Sequence, residues 1–204
     1  MPTGTTFRAP GAGAAGEGAP SQQEGATGRV VEARLEPPAP VRRGFVLGVD
    51  PGTRVVGFGA VRLTADGPQL VGAGVLRPSA SADVPVRLAE IRAALDRLLG
   101  ELRPEVVVVE QAFAARNVQS ALRIGEGRGV VLSCAAAAGA QVVQVAPAAA
   151  KKALVGNGQA HKSQVAAMVA RMLGLQRPPE PLDATDALAL ALTHVVRGTR
   201  PWDR

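Results

Sequence analysis

From Gly44 onward the chain alternates between short apolar runs and longer stretches in which apolar residues recur every three or four positions. Residues 45–50, Phe-Val-Leu-Gly-Val-Asp, form an apolar run that ends in an acid and stops at once in Pro51-Gly52, the pattern of a strand closed by a tight turn. Residues 55–63 and 69–76 predict two more strands, separated by the Ala-Asp-Gly-Pro turn at 65–68, and Gly57 and Gly59 leave room for another backbone to approach closely. Spacing this short predicts an antiparallel meander. In 84–102, Val84, Leu88, Ile91, Leu95, Leu98 and Leu99 recur at helical intervals until Pro104 ends the pattern. Val106 to Val109 is an unbroken apolar run closed by Glu110, which predicts a strand covered on both faces, as in parallel sheets. A helix from 117 to about 138, a strand at 142–145 and a short helix from Pro147 to 154 follow. After the loop Val155-Gly156-Asn157-Gly158, helices at 161–173 and 182–196 complete the pattern.

This order predicts an α/β fold: a mixed five-stranded sheet flanked by helices on both faces, compatible with the ribonuclease H-like architecture. Residues 1–43 read differently. Gly, Ala, Pro, Ser, Thr, Gln and Glu dominate there and no period persists, so they are expected to form a disordered tail. The expected division is a tail at 1–43, a folded domain at 44–198 and a short C-terminal tail at 199–204.

Composition narrows the classes. Hydrophobic residues make up 47% of the chain, enough for a core, but aromatics only 2%, so that core must be mostly Val, Leu and Ala. Cys134 is the single cysteine, which excludes an internal disulfide and fits a reducing cytosol; its Ala-rich helical setting reads as a packed thiol. No run approaches the roughly 18 apolar residues of a membrane span, and no apolar segment follows Arg8 as in a secretory signal. A cytoplasmic protein without a membrane partner is expected. The formal net charge is +6, and the front 43 residues, with five Arg and four Glu, carry little of it.

The candidate chemistry lies in four acids. Asp50 and Glu110 each end a buried strand, at the same sheet edge if the two strands are neighbours. Asp183 and Asp186, spaced i,i+3, share one face at the start of a helix. By themselves the last two also read as acids that favour a helix start, and a lone Asp at a strand end as a ligand of turn amides. Four carboxylates in one place repel one another unless cations lie between them. Hard oxygen donors without Cys or His suit Mg²⁺ or Mn²⁺, and paired ions of this kind serve phosphodiester cleavage. Residues 44–204 hold 18 Lys plus Arg and 13 Asp plus Glu, so without the four acids the remaining surface stands at +9, as for an enzyme on a polyanion.

Other residues divide between chemistry and structure. Lys151, Lys152 and Lys162 are the only lysines, and all flank the 155–158 loop; Arg116, Arg123 and Arg128 follow Glu110. Singly each reads as a solvated charge; as a set they favour backbone binding. Phe113, in Gln-Ala-Phe-Ala-Ala-Arg-Asn, has no apolar periodicity to bury it, so it reads as a base-stacking aromatic or as an anchor of its loop. His161 reads as a helix-start residue and His194 as a partner of terminal helix carbonyls.

At this point an ordered set of motifs resembles a family. Gly48-Val49-Asp50-Pro51-Gly52-Thr53-Arg54 with Gly57-Phe58-Gly59, and Val109-Glu110-Gln111-Ala112-Phe113 with Arg116-Asn117, resemble RuvC, the bacterial Holliday-junction resolvases. So do Ser120-Ala121-Leu122, Gly127-Arg128-Gly129, Val155-Gly156-Asn157-Gly158, Lys162-Ser163-Gln164-Val165 and Asp183-Ala184-Thr185-Asp186-Ala187-Leu188-Ala189. The resemblance runs in order from about residue 45 to 197. It implies a ribonuclease H-like fold and a symmetric homodimer that resolves four-way junction DNA by paired nicks in recombination and repair. It also implies Mg²⁺ dependence, with two ions per subunit and Mn²⁺ as a substitute, and work beside the RuvA–RuvB branch-migration complex. Its catalytic, metal-holding acids fall on Asp50, Glu110, Asp183 and Asp186, its stacking aromatic on Phe113 and its DNA-contacting lysines on Lys151 and Lys162; Arg116 joins them as a DNA contact. The helix from 117, rich in small residues, is the expected dimer contact. The 43 residues in front and the short basic end depart from the family pattern. A RuvX-type RNA-processing nuclease and a non-catalytic junction-binding protein are the alternatives; an actin-like kinase would need a second lobe.

Overall fold

The structure, a computed structural model, describes residues 44–111 and 118–198. Five strands, β1 (Phe45–Asp50), β2 (Val56–Thr64), β3 (Gly67–Leu76), β4 (Val106–Glu110) and β5 (Gln141–Val145), form one sheet in the order β3-β2-β1-β4-β5. The helices are α1 (Val84–Leu102), α2 (Val118–Ala137), α3 (Pro147–Val155), α4 (Lys162–Met172) and α5 (Leu182–Gly198). The first three strands form the expected antiparallel meander, and β4 and β5 run parallel to β1.

Alternation along the strands separates two cores. Val46, Val61, Val106, Val108 and Val145 face α3, α4 and α5, meeting Ala150, Leu154, Val165, Val169, Leu188 and Leu192. Leu47, Val49, Phe58, Ala60, Val107 and Val109 face α1 and α2, meeting Ile91, Leu95, Leu98, Leu99, Val131 and Cys134. The sheet is thus a middle layer with helices on both faces, as the pattern predicted. β4 has four buried valines in succession because both of its faces are covered.

One element start differs by more than a residue. Thr64 pairs with Gly67, so the hairpin turn is Ala65-Asp66 alone and β3 begins at Gly67 rather than at 69. Gly67 has φ 118, and Thr64 Oγ1 donates to its carbonyl at 2.9 Å. Pro68 is tolerated in the ladder because β3 is an edge strand.

The packing of α5 on the sheet is unusually close. A Cβ on Gly48 would lie 1.9 Å from the Ala187 carbonyl oxygen, and one on Gly57 2.1 Å from that of Asp183. The helix backbone therefore rests on the backbone of β1 and β2. Gly57 and Gly59 were read as allowing such an approach; Gly48 joins them.

Candidate active site

Strand parity places the first two acids. In β1, Val46, Gly48 and Asp50 share the face toward α5; in β4, Val106, Val108 and Glu110 share the same face. β1 and β4 are parallel neighbours, with Val46 opposite Val106 and Gly48 opposite Val108. Continuing this register by two residues brings Asp50 alongside Glu110 at the sheet edge, so the condition set by the sequence is met.

The second pair arrives on α5. Its start is fixed by Ala184 N–H donating to the Pro181 carbonyl at 2.9 Å and by the buried Thr185 hydroxyl donating to the Pro179 carbonyl at 2.5 Å. Asp183 lies in the first turn, its carbonyl oxygen against Gly57, and Asp186 follows one turn on. All four acids are half-buried.

Their charges act on one another. Asp50 is pushed up to about 7, first by burial and then by Glu110, Asp186 and Asp183. Burial and then Asp186 raise Glu110. The structure therefore brings the four acids into one electrostatic unit with excess negative charge. Lys162 opposes that excess: its Nζ lies 2.6 Å from Asp186 Oδ2, and its charge pulls both Asp50 and Glu110 down. Among the described residues, no three His, Cys, Asp or Glu side chains already converge in a cage for a metal ion. The donor set nevertheless fits a hard divalent cation. It consists of carboxylate oxygens, and its mutual repulsion is what such a cation relieves.

A cavity of about 200 Å³ opens beside the acids, lined by Glu110, Lys151, Lys162 and Asp186 over an apolar floor that includes Pro147, Val165 and Leu190. Lys151 and Lys162 thus both reach the acidic edge, from α3 and from the first residue of α4. His161 precedes α4 as its cap, its N–H donating to Gln164 Oε1 at 2.9 Å, in keeping with a helix-start role. Phe113 and Arg116 lie outside the described residues.

The arginines after Glu110 do different things. Arg123 pairs with Glu126 at 3.2 Å on the surface of α2. Arg128 Nε donates to the Glu110 carbonyl oxygen at 3.2 Å, and its Nη2 donates to Gln144 Oε1. Arg128 is therefore a brace across the ends of β4 and β5, a role the sequence did not reveal. Cys134 is buried, and burial followed by the neighbouring Asp96 pushes its thiol up to about 11, which fits a packed rather than a reactive thiol. His194 is half-buried one turn inside α5, which runs on to Gly198, and not at the helix end; burial and Arg197 lower its pKa.

A mixed sheet with a carboxylate cluster at the shared edge of two parallel strands defines a nuclease-like α/β protein of the ribonuclease H-like class. Comparison with known proteins identifies the family. The family model for "Crossover junction endodeoxyribonuclease RuvC" matches residues 46–194. The RuvC of Chlorobaculum parvum is 42% identical over 154 residues, spanning 76% of this chain and 82% of that protein. The RuvC of Solidesulfovibrio magneticus is 44% identical over 152 residues, 74% of this chain and 89% of that one. Among solved structures, Thermus thermophilus RuvC superposes with a TM-score of 0.70 at 36% identity, covering 76% of this chain and 95% of that one. The same protein in complex with its Holliday junction substrate superposes at 0.69 with 34% identity, covering 76% and 94%. The chain belongs to the RuvC family of crossover junction endodeoxyribonucleases.

Proposed function

We infer that this protein is a structure-selective endonuclease that resolves Holliday junctions by paired, symmetric nicks in DNA recombination and repair. The observation that carries the reading is the meeting of four carboxylates from β1, β4 and α5 at one sheet edge, in a chain of this family. Asp50, Glu110, Asp183 and Asp186 are the catalytic acids and would hold Mg²⁺, two ions per subunit, with Mn²⁺ able to substitute. A metal held there would supply activation of a water and stabilisation of the departing oxygen. Asp50 and Glu110, on the ends of adjacent strands, set the floor of the site, and the first turn of α5 sets its wall.

The other groups serve the substrate. Lys151 and Lys162 line the cavity next to the acids and bind backbone phosphates. Phe113 stacks on a base and Arg116 contacts the backbone. Two sites related by a twofold axis are needed for symmetric nicks, so the protein acts as a homodimer. Val118 at 74% and Leu122 at 62% exposure, one turn apart, give the start of α2 an exposed apolar face of the kind a partner subunit covers. It works with the RuvA–RuvB branch-migration complex in the cytoplasm. None of the described helices is long and apolar enough to cross a membrane.

The test is cleavage of a synthetic four-way junction with a mobile homologous core, in Mg²⁺ and then in EDTA, with linear duplex and an RNA hairpin as controls. Paired nicks confined to the junction and to Mg²⁺ are expected. Tight junction binding without nicks would make this a binding module, and cutting of the RNA alone a different ribonuclease H-like nuclease.

A further inference from the structure

The ion pair between Lys162 and Asp186 has a consequence for how the site is loaded, and the argument rests on the four-acid reading above. Lys162 is the first residue of α4, and its side chain is 71% exposed while that of Asp186 is 25% exposed. The ammonium therefore reaches in from the solvent side and lies on the half-buried acid, 2.6 Å from Oδ2. The same charge also acts on Asp50 and Glu110, so a single lysine partly neutralises three of the four acids. Lys151, which lines the same cavity, moderates Glu110 alone of these two.

The ammonium takes one acceptor site of Oδ2 and leaves Oδ1 open, but a divalent cation brought onto the same carboxylate is repelled by the ammonium already there. Metal at Asp186 and the Lys162 ion pair thus weaken one another, most of all at Oδ2. An ammonium leaving this acid needs another anion, and an exposed lysine on a basic surface meets one in the phosphodiester backbone.

We propose that Lys162 is a built-in counter-ion that competes with the divalent metal for Asp186 and is drawn off by a phosphate of bound DNA, so that DNA binding raises the affinity of the site for metal. By linkage, metal raises the affinity for DNA backbone by the same factor. The arrangement keeps the site poorly loaded until substrate arrives.

The test uses the full chain and two readouts independent of cleavage. Mg²⁺ affinity is measured by calorimetry for the wild type, Lys162→Met and Lys151→Met. Lys162→Met is expected to bind Mg²⁺ about tenfold more tightly, and Lys151→Met within about twofold of wild type. Because the chain contains only three lysines, side-chain NMR of the lysine Nζ and Cε groups resolves Lys162 directly. Its signal is expected to move toward that of a free lysine along the Mg²⁺ binding curve, and to move again when a short duplex is added in EDTA. Equal or weaker Mg²⁺ binding by Lys162→Met, or a Lys162 signal indifferent to Mg²⁺ or to duplex, overturns the proposal. Asp50→Asn separates this from failure of the site itself: undiminished Mg²⁺ binding in that variant refutes the four-acid reading, whatever Lys162 does.

Discussion

The two faces of the sheet are packed by different means. Toward α5 the sheet presents Gly48, Gly57 and Gly59, and the helix lies in the space their side chains would fill. Toward α1 and α2 it presents Leu47, Val49, Phe58, Val107 and Val109, which meet Ile91, Leu95 and Leu98 side chain to side chain. Backbone lying on backbone has no rotamer with which to absorb an error, so the first turn of α5 is tied to β2 at Gly57, and its following turns to Gly48 on the strand that carries Asp50. Interdigitated side chains repack within limits. The stiff contact lies on the face with the acids, and the adaptable one lies behind it.

The largest expected effect removes the chemistry and leaves the packing alone. Asp50→Asn should lower single-turnover cleavage by about 10³-fold or more, with junction affinity by fluorescence anisotropy within a few-fold of wild type. Leu95→Ala, on the adaptable face, should cost about 2–5 kcal/mol by urea titration yet leave the cleavage rate constant of the folded fraction nearly unchanged. Gly48→Ala, which sets a methyl group against the Ala187 carbonyl, should cost at least as much stability, about 3 kcal/mol or more, and in addition slow cleavage by about tenfold, because α5 must lift to admit it. Equal effects of the last two substitutions on the rate constant would erase the distinction between the faces.

A pH experiment sharpens it further. Folding raises the Asp50 carboxyl from the usual carboxylate range to about 7, and Glu110 moves in the same direction. Between about pH 4 and 7 the folded chain then binds more protons than the unfolded chain, so in EDTA the stability contributed by these groups falls as pH rises. The slope from Asp50 is at most about 1.4 kcal/mol per pH unit. His194, with its pKa lowered by burial and Arg197, pulls the other way below its ordinary value of 6.5. Thermal melts of wild type against Asp50→Asn isolate the carboxylate: the variant should show the shallower decline and the higher Tm above pH 7. The smallest effect is on the back face. Gly100 on α1 has nothing within 4 Å of its missing Cβ, so Gly100→Ala should stabilise by about 0.5–1 kcal/mol.

Much of this was readable from the residues. Apolar runs that climb to a single acid marked Asp50 and Glu110, and i,i+3 spacing put Asp183 and Asp186 on one helix face, because these signals are local. Contacts between distant segments left no such trace. The Arg128 brace joins residues 18 and 16 positions apart, and the Lys162–Asp186 pair spans 24. Arginine and lysine alike read as surface charge or as contacts for a DNA backbone, since nothing in their neighbourhoods shows which remote oxygen of the protein they will meet. Gly48 was hidden for a similar reason: inside an apolar run it reads as a weak strand residue until the helix that needs its emptiness is in place. β3 was mistaken at its start because Gly-Pro signals a turn, whereas an edge strand accepts both residues.

Strand parity also sets which kinds of sequence change this site can survive. Asp50 points toward α5 because it lies four positions, an even step, beyond Val46, and Glu110 because it lies four positions beyond Val106. Exchanging one buried valine for another aliphatic residue preserves that count; deleting a single residue from either strand turns its acid to the opposite face. A lineage carrying this site is thus free to vary the spelling of β1 and β4 but not their length, and drift should accumulate there as substitutions while insertions and deletions collect in the loops.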